Sequence, residues 1–335
     1  MTRPASAFPS KAAPAATTTA AVLAAPGRFE LRSGPAAEPA PGQVRVRLQS
    51  CGVCASSIPV WEGREWFTYP QPAGSPGHEG TGVIDAVGEG VDESRIGERV
   101  ALLSYHAFAT HDAASAACAV PLPPELEGRH FPGEAIGCAM NIFARSGIAL
   151  GSSVAIVGVG FIGALLVQLA ARAGARVVAL SHRPCSLALA SRMGAVESVS
   201  TQDEHDAVRR ASDAGQGLFD VAIECTGLAG PLDLAAQLVR ERGRLVIAGY
   251  HQDGRRSIDM QLWNWRGMDV INAHERDAAE YVRGIREGAA AVAAGRLDPD
   301  ELYTHVYPLS RIEEAFRAAA GRPEGFVKAV VNLEG

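Results

Sequence analysis

In SPGHEGTGV, residues 75–83, an imidazole and a carboxylate, His78 and Glu79, stand side by side among Gly77, Gly80 and Gly82. Glycine tolerates tight turns and close approach by other groups, which suits a plain turn and equally the wall of an ion site. Upstream, CGVC supplies Cys51 and Cys54. A four-cysteine zinc site would need a second such pair, and none follows. A catalytic zinc needs about three protein ligands and keeps one position open for water or substrate. Cys54, His78 and a carboxylate would meet that requirement.

A second constellation lies in AIVGVGFIG, where Gly158, Gly160 and Gly163 form G-x-G-x-x-G with Phe161 and Ile162 inside it. The apolar run before it reads as a strand and the run after it as a helix, the context that gives this fingerprint its meaning. Gly158 permits the turn, Gly160 admits a pyrophosphate close to the backbone, and Gly163 lets the helix pack on the sheet. The next strand ends in Ser181, His182 and Arg183. A site selecting NAD would place an acid there to hold the ribose 2′-hydroxyl. A hydroxyl and a guanidinium suit a 2′-phosphate instead, so NADP(H) is expected over NAD(H). Thr226 and Gly227 in ECTG, with Gly249 in IAGY, fall at the ends of later strands, where an open α/β sheet binds ligands.

These groups need elements to hold them. QVRVRLQ, GVIDAV and ERVALL alternate apolar and polar residues between Gly and Pro breaks, which predicts a β-rich domain over 19–140. Over 141–279, SSVAIVG, ARVVALS, VAIECTG and RLVIAGY read as buried strands. FIGALLVQLAARAG, CSLALASRMG and PLDLAAQLVRERG read as the helices between them, which predicts a parallel sheet covered on both faces. Two helices and a last strand, FVKAVVNL, over 280–335 are expected to fold back onto the first domain. Residues 1–18, rich in Pro and Ala without an apolar leader, read as a disordered tail, with a transit peptide as the alternative. A net charge of −6 gives no electrostatic reason to seek nucleic acid or anionic lipid. No apolar run reaches the roughly 18 residues of a membrane span. Six cysteines scattered over 335 residues argue for reduced thiols, and a cytoplasmic protein is expected.

Taken in order, CGVC-x-S, PGHEGTG, GERV and GVGFIG resemble the zinc-dependent medium-chain dehydrogenase/reductase family, which includes alcohol, sorbitol and threonine dehydrogenases. The resemblance covers nearly the whole chain from about residue 19. It implies an α/β fold, a Rossmann doubly wound parallel sheet plus a β-rich GroES-like catalytic domain. It implies Cys54 and His78 as zinc ligands, with Glu79 beside the metal or ligating it. For the third position PGEAIGCAMNIFARSG offers Glu134, 24 residues before Gly158, and Cys138, 20 before it. The sorbitol branch has a glutamate there, so Glu134 is favoured and Cys138 is read as packing. Ser56 matches the relay hydroxyl that passes the substrate proton outward. Ser57 replaces an acid that orients the ligand histidine in many members, and Pro59 replaces a relay histidine. Only Cys118 follows GERV closely, so one catalytic zinc and no structural zinc are expected.

The implied reaction moves a hydride between NAD(P)(H) and the carbon of a zinc-bound alcohol or ketone, with polar, polyol-like substrates favoured. The alternatives are a zinc-free enone or quinone reductase and a non-catalytic NADPH-binding protein. Relatives imply a homodimer or homotetramer. Trp61, Trp66, Phe67, Tyr69, Trp263 and Trp265 are candidate pocket walls, and His274 and Arg276 in NAHERD could reach polar groups of the substrate.

Overall fold

The structure, a computed structural model, describes residues 16–334. The expected tail lies, up to residue 15, outside the described residues, and Thr17 and Thr18 already belong to the first strand. β1 (Thr17–Ala25) and β2 (Arg28–Pro35) form an antiparallel hairpin. β3 (Gln43–Gly52), β4 (Gly80–Val87), β5 (Arg99–Leu102), β6 (His111–Ser115) and β7 (Ala119–Pro121) contribute to one antiparallel arrangement, with the short helix α1 (Ile58–Glu62) between β3 and β4. Their alternating pattern fits strands with one face on a core. That core gathers Val44, Val46, Leu48, Ile84, Val100 and Phe108. α2 (Gly133–Ser146) then leads into the second lobe and stops at Gly147 in the left-handed region.

Six strands follow, β8 (Ser153–Val157), β9 (Arg176–Ser181), β10 (Glu197–Ser200), β11 (Phe219–Glu224), β12 (Val239–Ile247) and β13 (Asp269–Asn272). All pair in parallel, in the order β10-β9-β8-β11-β12-β13. α3 (Phe161–Arg172), α4 (Pro184–Met193), α5 (Glu204–Gly215), α6 (Ala229–Leu238) and α7 (Met260–Arg266) connect them. Strands such as β8, buried from Val154 to Val157, are apolar throughout because helices cover both faces. The order reverses between β8 and β11, and the carboxyl ends of those two strands open a crevice there. The helix expected over PLDLAAQLVRERG is shorter than its sequence suggested. α6 ends at Leu238, and the β-branched Val239 pairs with Phe219 before a register shift brings Arg244 opposite Val221.

The chain then returns. α8 (Ala278–Ala293) packs on α2, and β14 (His305–Pro308), α9 (Ile312–Gly321) and β15 (Ala329–Asn332) rejoin the first lobe. β15 pairs antiparallel with β3, completing a seven-stranded sheet in the order β14-β15-β3-β4-β5-β7, with β6 also on β3. The last strand therefore places residue 328 beside the end of β3, where the cysteines lie.

Candidate active site

Cys54 follows β3 and caps a short 3-10 turn, while His78 and Glu79 directly precede β4, which pairs with β3. One ligand atom from each of Cys54, His78 and Glu79 lies within 4.8 Å of the others. The glycines around the histidine serve packing rather than the wall of an ion site. A Cβ on Gly77 would meet Phe108 N at 2.5 Å, and one on Gly80 would meet Ala107 Cβ at 2.8 Å.

The imidazole is oriented by backbone. His78 Nδ1 lies 3.0 Å from the Pro76 carbonyl, so Nδ1 carries a proton and donates it, and Nε2 is the nitrogen turned toward the donor cluster. Ser57 does not touch the ring. Its hydroxyl donates to the same Pro76 carbonyl at 3.2 Å, so a carbonyl takes the part expected of a side chain at 57. Glu134, near the start of α2, brings Oε2 to 4.0 Å from His78 Nε2, and Cys138 Sγ donates to Glu134 Oε1 at 3.2 Å. Ser56 Oγ donates to Cys54 Sγ at 3.2 Å. Cys138 thus packs against the carboxylate, while Glu79 lies within the tightest donor group and Glu134 reaches it through His78.

Electrostatically this is a nest of acidic groups around one base. Burial opposes an imidazolium, but Cys54, Glu134 and Glu79 outweigh it and push His78 up to about 10. Burial raises Glu134 above the usual carboxylate range, against the pull of His78. A thiol, an imidazole lone pair and two carboxylates, with Glu79 Oε2 buried and unpartnered among the described residues, make a donor set suited to zinc.

Lys328 was missed from the sequence, although a lone cation inside the apolar run FVKAVV was the signal for it. Its Nζ donates to Glu79 Oε1 at 2.7 Å and stands 4.8 Å from the Phe161 ring centroid. Burial opposes its charge, and Glu79 more than restores it. One buried ammonium therefore joins the ligand cluster to the glycine-rich loop.

That loop is bare and tightly turned. Gly158 has φ +97°, in the left-handed region that only glycine enters without strain, and Gly163 packs against the Gly158 carbonyl. Gly160 is the N-cap of α3 and supplies no side-chain cap, as at α2, α4, α6 and α9, so the first N–H groups of α3 have no side-chain partner, and a Cβ on Gly160 would enter open space. Ile162 lies within α3, partly buried against the core. Across the switch point the fully buried Glu224, also missed from the sequence, accepts from Thr226 N and Oγ1, from Gly227 N at 2.8 Å and from His251 Nε2 at 3.1 Å. Gly249 N donates to the Glu224 carbonyl at 2.8 Å. Arg256 Nε donates to His251 Nδ1 at 2.9 Å, which fixes that tautomer, and Gln252 Nε2 reaches the Ser56 carbonyl at 3.4 Å.

At the end of β9, Ser181 Oγ accepts from Arg183 N at 3.2 Å, and His182 is exposed. The Arg183 guanidinium donates to the carbonyls of Pro323 and Phe326, so it stands in the cleft between the lobes. Of the two readings open for the tryptophans, pocket wall or packing, the contacts of Trp61 and Trp263 fit packing. Trp61 packs on Phe316, Trp66 on Phe67 and Trp263 under the parallel sheet, while Trp265 is exposed. Tyr69 donates to the Val60 carbonyl. The ring that faces His78 is Tyr105, at 6.0 Å between centroids, and His274 Nε2 lies 3.1 Å from the Gly249 carbonyl.

Residues 40–150 match the alcohol dehydrogenase GroES-like domain family, and residues 162–287 match the zinc-binding dehydrogenase family. The chain is 25% identical to 2-dehydro-3-deoxy-L-galactonate 5-dehydrogenase of Pseudoalteromonas atlantica, over 91% of this chain and 95% of that protein. It is also 25% identical to the sorbitol dehydrogenase of Ovis aries, over 92% of this chain and 95% of that one. Among solved structures, one described as a zinc-binding dehydrogenase of Sinorhizobium meliloti bound to NADP superposes with a TM-score of 0.82 at 25% identity, covering 95% of this chain and 100% of that one. The fold is shared too by 2R,3R-butanediol dehydrogenase of Bacillus subtilis, at a TM-score of 0.80 and 22% identity over 95% of this chain and all of that one.

Proposed function

This chain belongs to the zinc-dependent medium-chain dehydrogenase/reductase family and is an NAD(P)-dependent alcohol oxidoreductase, and on that premise we propose that Cys54, His78, Glu79 and Glu134 hold its single catalytic zinc. The observation that carries the reading is the convergence of three donor atoms within 4.8 Å, bridged by Lys328 to an uncapped phosphate loop. Zinc bound there would act as a Lewis acid on the substrate oxygen. Bound dinucleotide would bring the nicotinamide ring that accepts or gives the hydride.

The chain's own groups do the rest. The Pro76 carbonyl keeps a proton on His78 Nδ1, so that Nε2 is the nitrogen offered to a cation, and Lys328 neutralises one oxygen of Glu79 so that the donor set does not carry excess negative charge. Ser56 Oγ, beside Cys54, takes the substrate proton outward toward the segment that Gln252 ties to it. Gly158, Gly160, Phe161, Ile162 and Gly163 receive the pyrophosphate, and Thr226, Gly227 and Gly249 line the cofactor's path, their backbone fixed by Glu224. Ser181, His182 and Arg183 favour a 2′-phosphate, hence NADP(H). A polyol-like or secondary alcohol is the substrate, supported by the sorbitol dehydrogenase likeness. Residues 19–140 with 280–335 form the catalytic domain, and 141–279 the cofactor domain. The protein acts as a cytoplasmic homodimer or homotetramer. Among the described residues no helix is long and apolar enough to cross a membrane.

The test is Cys54→Ser. Bound metal, read by elemental analysis, and NADPH oxidation on ketones, aldehydes and keto-sugars should both vanish, while NADPH binding, read by fluorescence, persists. Turnover surviving loss of the metal would refute the mechanism.

A further inference from the structure

The basic groups around the cleft are nearly all committed. Lys328 is held by Glu79, and Arg183 lies against the 323 and 326 carbonyls at the proposed 2′-phosphate site. Arg256 is shared among His251, Asp253 and the Gly227 carbonyl. Arg276 differs. It follows β13 and precedes α8, its guanidinium stands 5.8 Å from the Tyr250 ring centroid, and it has no ion-pair partner among the described residues. The carboxylates flanking it are turned to backbone. Glu275 Oε1 accepts from Arg276 N and Asp277 N, and Asp277 Oδ1 caps α8 through Ala279 N. Local acids thus shape the turn, and the guanidinium is left with the Tyr250 side chain as its partner and no carboxylate.

The same turn leads to the ligand cluster. Tyr281, on the first turns of α8, donates to the Glu275 carbonyl at 3.1 Å. α8 crosses α2 so closely that a Cβ on Gly284 would meet the Gly137 carbonyl at 2.6 Å, which brings Tyr281 beside Glu134 and Cys138. Burial raises the Tyr281 phenol; Cys138, Glu134 and Tyr105 raise it further, and Arg276 opposes them. Tyr105, itself 62% exposed, is tilted toward His78. Tyr105 and Tyr281 are thus neighbours of both the donor cluster and Arg276, which is exposed beside Tyr250.

We propose that Arg276 is the specificity-determining residue of the substrate cleft, and that it binds a carboxylate carried several carbons from the reacting hydroxyl or carbonyl, making the substrate a sugar acid or related hydroxy acid. A guanidinium meets a carboxylate through two parallel hydrogen bonds, and a single guanidinium matches one negative charge better than the two of a phosphate. A neutral polyol would leave that fork without a partner. The inference rests on the cleft above the cluster being the substrate site.

The experiment uses the full chain, loaded with zinc and NADP, titrated calorimetrically with D-gluconate and with D-glucitol, which differ only in the carboxylate at one end. Hydride transfer is followed in parallel on a panel of aldonates and their matching polyols. Gluconate should bind more tightly than glucitol. Arg276→Gln should weaken gluconate by roughly 30-fold or more while moving glucitol less than about twofold, and Arg276→Lys should recover part of the loss. Gluconate that fails to bind, or an Arg276→Gln loss equal for both ligands, overturns the proposal. Turnover of polyols alone, indifferent to Arg276→Gln, removes the anion site and leaves the dehydrogenase reading standing. Gluconate binding that depends on Arg276 without hydride transfer to any substrate does the reverse.

Discussion

The Pro76 carbonyl accepts from both His78 Nδ1 and Ser57 Oγ, and through that double contact a chain without an acid at position 57 still fixes its imidazole. A carbonyl acceptor holds the tautomer without adding charge to a cluster already rich in carboxylates. Charge is the issue at the other end of the cofactor site as well. Ser181 is 7% exposed, and its hydroxyl oxygen accepts from Arg183 N while its O–H stays available to donate, so β9 brings no negative charge to the space beyond it. Ser181→Asp would put a carboxylate where a 2′-phosphate is proposed to sit, and like charges in a partly buried site repel strongly. The ratio of kcat/KM for NADP to that for NAD should fall roughly tenfold or more, about 1.4 kcal/mol, in steady-state assays with both cofactors. An unchanged ratio would remove the NADP preference and leave the zinc chemistry untouched.

At the scale of elements, the crossing of α2 and α8 places Glu134 and Tyr281, and it depends on Gly284. A Cβ there would lie 2.6 Å from the Gly137 carbonyl and 2.7 Å from Asn141 Oδ1. Alanine returns at most about 1 kcal/mol of helix propensity. Overpacking at a backbone contact costs about 1–3 kcal/mol, so crowding should win. Gly284→Ala should lower the Tm and, because Glu134 moves with α2, lower kcat more than it weakens NADPH binding; calorimetry and turnover on one preparation test both. The helix pair also marks where sequence reading stopped. The glycine fingerprint, the parallel strands and the Cys54–His78 pairing were legible because each follows from local pattern or motif order. In the sequence α2 shows only candidate ligands, since its small residues, Gly133, Ala135, Gly137 and Ala139, make sense only against α8. Lys328 and Glu224 are lone charges at the ends of apolar strands; the partner of Lys328 lies 249 residues away, a distance no local pattern spans, and Glu224 holds His251, 27 residues on, besides its neighbours Thr226 and Gly227. Aromatic side chains pack in cores and line clefts with equal ease, so the sequence leaves both roles open, and only the fold puts Trp61 on Phe316 and Tyr105 beside His78.

For the molecule as a whole, three histidines outside the proposed ligand set make stability depend on pH in one direction. His111 lies on β6, His274 follows β13, and His130 lies between the lobes with its ring 6.0 Å from that of Tyr303. Burial is the first cause that holds each below the ordinary histidine value, helped at His130 by Arg99 and at His274 by Arg276. Above about pH 6.5 these rings are neutral in both the folded and the unfolded chain and contribute no pH dependence. Below it the unfolded chain takes up protons that the folded chain resists, so stability is lost as pH falls toward the lowered folded values. His78 runs the other way, its folded value near 10 favouring the folded state at low pH and losing that advantage as pH rises, unless a bound cation removes the ring from titration. Comparing a variant with the wild type cancels that opposing term and any loss of metal with pH. His130→Gln should therefore show a smaller drop in Tm between pH 7.5 and 5.5 than the wild type, measured by scanning calorimetry on zinc-loaded protein. A drop of equal or greater size would mean that the ring between the lobes takes up a proton as readily folded as unfolded, and that burial at this junction does not govern the acid stability of the two-lobed chain.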